Sequence, residues 1–367
     1  MLLIQPRKFT TLYATREGNY RNMGSMMGLR KYSFLISVRS PGRQTEEEWK
    51  IIGPQQADFW KSAIRRLSGR SYQHNGYDIE VKIDWAPLAR RLIRDHKLLI
   101  PVRTYQPSKV DWFAKLDKPL YLAATCSIVG DSDFDGYQWY PGFFVEYFLY
   151  EIFMIVNLSC PGVAEFYNFE IQRTDQTQSQ RLQLSAFYFD EWMVATLEGE
   201  GPVARIIKAD EVIDWFRKVN PAVTQKAENS TQRAIYALYQ ICRSEGDISI
   251  ILWLFNALES LLGTRVGENF SGLTRRAAIL LELDEKEKRL LSKKLRELYD
   301  LRSAFVHGGY EVTHPLHSES IDPRLDDDYL RIIRLSSYGF GVLGALLQSM
   351  ILRKIPIAVF EEKLVSF

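Results

Sequence analysis

The sequence predicts an α+β fold: a mixed α/β N-terminal domain at residues 1–225, followed by an all-helical bundle at residues 228–355. Three observations predict it. Strand-like and helix-like stretches alternate before residue 221, whereas helical periodicity dominates after residue 232. We place the boundary between them near PAVTQKAENST at 221–231. A chain of 367 residues with 46% hydrophobic content is long enough for two cores.

The N-terminal half is predicted to be mixed from its individual stretches. FFVEYFLYEIFMIVNLS at 143–159 is short for a membrane span and contains Glu146 and Glu151, which would be costly in lipid, so we expect a buried helix. The other predicted helices are PQQADFWKSAIRRL (54–67) and ADEVIDWFRKVNP (209–221), and the predicted strands are YSFLISV (32–38), YDIEVKIDW (77–85), KLLIPVRTY (97–105), FYNFEIQ (166–172) and RLQLSAFYFDEWMVATLEG (181–199).

The C-terminal half is predicted to hold about five helices. The first carries apolar residues at helical spacing from Ile235 to Cys242. The second, 248–262, is apolar nearly all round and is therefore expected to be central. The later segments are GLTRRAAILLEL (272–283), DEKEKRLLSKKLRELYDLRSAFVH (284–307), a polar loop (308–324) and DDDYLRIIRLSSYGFGVLGALLQSMIL (326–352).

Composition indicates a cytoplasmic protein without a membrane segment, metal or cofactor. The formal net charge of +2 means that any nucleic-acid surface must be local. Three scattered cysteines, Cys126, Cys160 and Cys242, fit a reducing compartment and argue against a disulfide framework or structural zinc. MLLIQPRKFT at the N-terminus lacks a signal-peptide pattern.

The segment LYDLRSAFVHGG, 298–309, contains the candidate catalytic residues Arg302 and His307. Arg302 occupies a position in the apolar stripe of its helix, so we expect its guanidinium to need a carboxylate, a phosphate or a partner subunit. His307 precedes Gly308–Gly309, a natural helix end, where the helix dipole favours imidazolium. About 140° of helix rotation separates the two positions, so the chain must uncoil for the ring to approach Arg302.

Glu259 in LFNALESLLG is a candidate partner for Arg302, because it too lies on an apolar stripe. The alternative to catalysis is that a buried Arg302–Glu259 ion pair fixes helix register and that His307 only caps the helix. RLIRDH at 91–96 repeats the Arg-to-His spacing without the glycines. The Arg-to-His spacing alone therefore does not identify a catalytic pair, and we interpret this second copy as coincidence.

ALESLLG (257–263) followed by LYDLRSAFVHGG resembles the HEPN superfamily, in its Apea-like branch, over about residues 228–355. The resemblance implies a metal-independent endoribonuclease that acts as a homodimer with its two motifs facing each other, often in toxin–antitoxin or antiphage systems. Arg302 and His307 take the two motif positions. Ser303 stands where the family often has Asn, Asp or His, which puts efficiency in doubt.

The implied chemistry needs no metal, because the ribose 2′-OH can act as the nucleophile. His307 would move protons and Arg302 would stabilise charge on the phosphate. A dimer would supply both an acid and a base, and the expected products end in 2′,3′-cyclic phosphate. The alternative is a non-catalytic HEPN module for dimerisation or RNA binding. A regulatory protein such as an antitoxin is a further expected partner. A third alternative, that the N-terminal half is the enzyme, is weak because that half shows no catalytic constellation.

Three further patterns carry weaker predictions. The basic residues Arg90, Arg91 and Arg94 are candidate RNA contacts, although such runs are usually solvated faces. DSDFDG at 131–136 begins like a calcium loop, but position twelve is Gly142 instead of glutamate, so we favour an acidic turn. HPLH at 314–317 has metal-like spacing without completing ligands, and we interpret it as surface loop.

Overall fold

The computed structural model describes residues 28–38, 54, 58–61, 64–97, 119–130, 138–167, 169–244, 248–264, 270–314, 316 and 320–361, with only the backbone described for 92–97. These residues form an α+β fold, as predicted. It combines one antiparallel sheet with helices that pack on it and on each other.

The described strands of the sheet are β1 (Gly28–Val38), β2 (Gly69–His74), β3 (Tyr77–Ile83), β4 (Leu120–Gly130), β5 (Phe169–Arg173) and β6 (Ser179–Arg181). They lie in the order β2-β3-β4-β1-β5-β6. Asn75 and Gly76 form the β2–β3 turn with positive φ values of 51° and 81°, as a tight hairpin requires. The predicted strands within 32–38, 77–85 and 166–172 are confirmed, whereas 98–105 lies outside the described residues.

Four helices of the N-terminal half are α1 (Ala86–Lys97), α2 (Tyr140–Ser159), α3 (Phe187–Leu197) and α4 (Ala209–Val219). The described residues at 58–61 and 64–67 are also helical, as predicted. The strand predicted across 181–199 is wrong over most of its length, because 187–197 is α3. Its composition, FYFDEWMVATL, is typical of strands, but Phe189 and Trp192 are buried and packing against another helix overrides this preference.

The bundle contains α5 (Ser230–Arg243), α6 (Ser249–Leu261), α7 (Phe270–Leu281), α8 (Glu285–Val306) and α9 (Arg324–Leu352). These match the predicted helical segments. In the described part of the chain, α2 and α9 are long and apolar enough to cross a membrane, but 72% and 78% of their most apolar stretches are buried inside the protein. Both therefore resemble core helices of a soluble protein.

Packing continues across the predicted boundary at 221–231. The boundary falls in the loop before α5, yet α9 packs on α3 as well as on α6, α7 and α8. The buried side chains of both halves form one hydrophobic cluster. The division into two domains thus stays a prediction, and the bundle shares its core with the half that contains the sheet.

Candidate active site

The two candidate catalytic residues lie near the C-terminus of α8: Arg302 precedes the last turn, and His307 is the C-cap residue. This helix begins with a capping box between Asp284 and Glu287. It ends at His307, whose backbone N–H donates to the Ser303 carbonyl at 3.0 Å. Gly308 has φ +77°, and the Gly309 N–H donates to the Ala304 carbonyl at 2.8 Å. His307 is therefore the C-cap residue, as the glycine pair predicts.

Arg302 is adjacent to Glu259, the partner predicted from the apolar stripes. Arg302 Nη1 lies 3.6 Å from Glu259 Oε1, and the two side chains are 32% and 37% exposed. The two side chains form the predicted pair, but the expectation that the pair is buried is wrong. Leu295 and Leu298 earlier in the same stripe are fully buried, but the stripe leaves the core as α8 approaches its C-terminus.

The Arg302 guanidinium also rests on aromatic rings. Its central carbon lies 5.4 Å from the ring centroid of Phe255 and 5.8 Å from that of Tyr299, which is within cation–π range. Within the described structure, the buried Arg302 Nε has no hydrogen-bond acceptor. The guanidinium is thus positioned by ring contacts and one long ion pair, and its Nε has no described acceptor.

A second arginine extends this arrangement. The guanidinium of Arg296 lies 4.1 Å from the ring centroid of Phe270 and 5.7 Å from that of Tyr299. Two guanidinium groups therefore flank the rings of Phe255, Tyr299 and Phe270. Neither Arg296 nor Phe270 was predicted from the sequence as part of the site. The only available signal was the spacing of Arg296, Tyr299 and Arg302, which are three residues apart and so share one helix face.

His307 and Ser303 are the remaining motif residues. The His307 side chain is exposed, and its imidazole makes no hydrogen bond to any residue that the structure describes. Ser303 is half-buried, and its backbone carbonyl accepts the His307 N–H. The imidazole is accordingly available to solvent and to a ligand.

A shallow cavity of about 390 Å³ adjoins Glu259. It was not predicted from the sequence, because its walls come from two helices and the loop after α6. The exposed Arg233 contributes a positive charge to this cavity, and Glu259 contributes a carboxylate. The rest of the lining is uncharged. The other residues of the wall are Asn256, Ser260, Gly263 and Thr264.

The other candidate residues lie elsewhere. Arg90 is exposed and Arg91 half-buried on α1, which packs on β4, whereas the Arg94 side chain lies outside the described residues. The described residues also do not include DSDFDG (131–136), the His96 side chain or His317. The Leu316 N–H donates to Nδ1 of the exposed His314 at 3.0 Å. Within the described ranges no group of three or more His, Cys, Asp or Glu side chains could hold a metal ion.

No family model, no curated protein and no solved structure matches this chain. The resemblance to HEPN proteins accordingly depends on ALESLLG and LYDLRSAFVHGG alone.

Proposed function

We propose that the chain is a metal-independent endoribonuclease of the HEPN type, acting in the cytoplasm as a homodimer and serving in a bacterial antiphage or toxin–antitoxin setting. One observation carries the proposal: the packing of the protein does not use all the hydrogen-bonding groups of the two motif side chains. The Arg302 side chain is 32% exposed and its buried Nε has no described acceptor, and the exposed His307 has no described hydrogen bond to its imidazole.

In the proposed reaction the His307 imidazole accepts the 2′-OH proton as the 2′ oxygen attacks the adjacent phosphorus. Arg302 donates hydrogen bonds to the non-bridging phosphate oxygens as their negative charge increases. The bond to the 5′ oxygen breaks, and that oxygen must receive a proton. A second imidazole, supplied by another copy of the chain, would donate it. The products are a 2′,3′-cyclic phosphate and a 5′-hydroxyl.

The alternative is a binding module in which the Arg302–Glu259 pair is structural. The presence of the Arg302–Glu259 contact favours this alternative, but the length and the exposure of the contact do not. Half-exposed pairs at distances near 4 Å contribute about 0 to 1 kcal/mol, since solvent screens them. A pair of that kind is a weak reason for placing an arginine in an apolar stripe.

Cleavage of a mixed RNA in EDTA tests the proposal, with end-group analysis of the products. We expect cyclic-phosphate ends from the wild type, and a loss of rate of about 10² or more for His307→Ala and Arg302→Ala. His314→Ala is the matched control, because it removes another exposed histidine that is close to His307 in sequence, and it should cleave normally. DNA should remain intact, because it lacks the 2′-OH.

Stability measurements on the same variants separate the two functions. We expect both motif variants to unfold within about 1 kcal/mol of the wild type. The catalytic proposal fails if His307→Ala cleaves like the wild type. Intact RNA with every protein, combined with a loss of several kcal/mol for Arg302→Ala, would instead favour the structural pair.

A further inference from the structure

A cavity of about 340 Å³ lies between α2, α4, α5 and the loop that joins α4 to α5. Its floor is buried and includes Glu151, Phe216 and Asn220. Its rim is exposed at Gln225, Gln240 and Arg243. The cavity is therefore open at one end, and its volume lies in the range typical of small-molecule sites.

Aromatic rings form most of the cavity wall. Three come from α2 and two from α5: Phe143, Tyr147, Tyr150, Tyr236 and Tyr239. The faces of such rings carry negative electrostatic potential, which attracts cations.

Hydrogen bonds to the backbone hold the tyrosine rings in place. The Tyr147 hydroxyl accepts from the Thr224 N–H at 3.4 Å, and the Tyr236 hydroxyl donates to the Thr224 carbonyl at 3.1 Å. The Tyr239 hydroxyl donates to the Tyr150 carbonyl at 2.9 Å. Because these hydroxyls already have partners, the wall is formed before any ligand arrives.

Two carboxylates line the cavity, and only one of them forms an ion pair with a described basic side chain. Glu151 at the floor pairs with Arg70, whose Nη1 lies 2.7 Å from Glu151 Oε1. Glu146 in the wall accepts a hydrogen bond from Gln180 Nε2 at 2.6 Å, but no described basic side chain lies within ion-pair distance of it. Burial raises the pKa of Glu146, and the hydrogen bond from Gln180 and the charge of Arg243 at the rim oppose that shift without cancelling it. A partly desolvated carboxylate without a direct ion pair is stabilised in its charged form by a cation that joins it.

We propose that this cavity binds a small organic cation, whose charged group lies against Glu146 and the tyrosine faces. Three properties fit this class: the aromatic wall, the carboxylate without an ion pair, and a rim whose two glutamines can hydrogen-bond a polar tail. Arg243 at the rim keeps its own charge in water, since it is exposed. This inference is independent of any ribonuclease activity.

Isothermal titration of the full-length chain with choline, and separately with agmatine, tests the proposal. We expect saturable binding of at least one of them. The neutral isostere of choline, 3,3-dimethylbutan-1-ol, should bind at least about tenfold more weakly than choline, because it has the same shape without the charge.

Two variants locate the binding site. Glu146→Gln keeps a hydrogen-bonding partner for Gln180 but removes the charge, and should weaken cation binding about tenfold. Glu198→Gln, at an exposed position after α3, is the matched control and should bind like the wild type. Circular dichroism confirms folding of both. The proposal is overturned if neither cation binds below about 10 mM, if the neutral isostere binds as well as choline, or if Glu146→Gln binds unchanged.

Discussion

Glu151 is a carboxylate in the middle of α2, with a side chain that is only 4% exposed. Arg70 pairs with one of its oxygens, and the Tyr72 hydroxyl donates to the other at 2.8 Å. Arg70 Nη2 also donates to the Asn220 carbonyl at 2.7 Å. These contacts connect β2, α2 and the end of α4. They explain how a buried apolar helix retains an acid.

The Glu151 network predicts a dependence of stability on pH. Burial raises the pKa of Glu151 from 4.5 to about 7, against the opposing effects of Arg70 and Tyr72. Between these pH values the unfolded chain has lost a proton that the folded chain retains. The free energy of unfolding from this group is therefore highest below about pH 4.5 and falls, by on the order of 3 kcal/mol, as pH rises to about 7.

Urea unfolding of the wild type and Glu151→Gln at about pH 4.5 and about pH 7.5 measures this effect. Glutamine does not titrate, so the stability of the wild type relative to the variant should decrease as pH rises. Tyr72→Phe removes a hydrogen bond that favours the charged form and should extend the decrease to higher pH. The absence of any decrease between the two pH values would instead mean that Arg70 outweighs burial and keeps the carboxylate charged.

Individual side chains of the candidate site were partly predictable. The stripe positions of Arg302 and Glu259 predicted their contact, because one apolar period on each helix directs both toward the same core. Their exposure was not predictable, since it depends on where α8 leaves the core. The Arg70–Glu151 pair was beyond prediction, because strand pairing and helix packing bring together residues far apart in sequence.

At the scale of elements, glycines in α9 form a slot for Trp192 of α3. A Cβ at Gly344 would lie 2.4 Å from Trp192 Cζ3, and one at Gly341 would lie 3.0 Å from Trp192 Cδ1. Trp192 is 1% exposed, and its Nε1 donates to the Pro202 carbonyl at 2.8 Å. Glycine inside a helix costs about 1 kcal/mol relative to alanine. Here it allows a close approach of two helices.

Gly344→Ala should therefore destabilise the protein by about 2 kcal/mol, because overpacking outweighs the gain in helix propensity. Gly272→Ala in α7 is the matched control, since nothing lies within 4 Å of its added Cβ, and it should stabilise by up to about 1 kcal/mol. Chemical denaturation of both variants measures the difference. Equal stabilities for the two would show that Trp192 does not fill the slot.

Element boundaries were predictable where local chemistry decides them. Asp284 and Glu287 mark the start of α8, and Gly308 marks its end, because caps are local in sequence. The identity of α3 was not predictable in this way. Phe187, Trp192 and Val194 favour a strand by composition, while the slot that stabilises the helix lies in α9, far from α3 in sequence.

At the scale of the whole molecule, α9 contributes to both halves of the fold. Phe340 stacks on Tyr188 with ring centroids 5.6 Å apart, and contacts Phe189 edge-on at 4.8 Å. Gln348 Nε2 donates to the Leu158 carbonyl at 2.9 Å. Aromatic packing and buried hydrogen bonds thus join α9 to α2 and α3.

Because of these contacts, residues 228–361 should not fold alone as a compact monomer. Removing the N-terminal half would expose the face of α9 that contacts Tyr188, Phe189 and Trp192, and would leave the buried Gln348 amide without its acceptors. We expect the fragment to be helical by far-UV circular dichroism, to bind ANS, and to lack a cooperative urea transition. The full-length chain should unfold in one transition detected equally by tryptophan fluorescence and circular dichroism. A fragment with its own cooperative transition and no ANS binding would contradict this expectation, and would show that the boundary near 221–231 separates two autonomous domains.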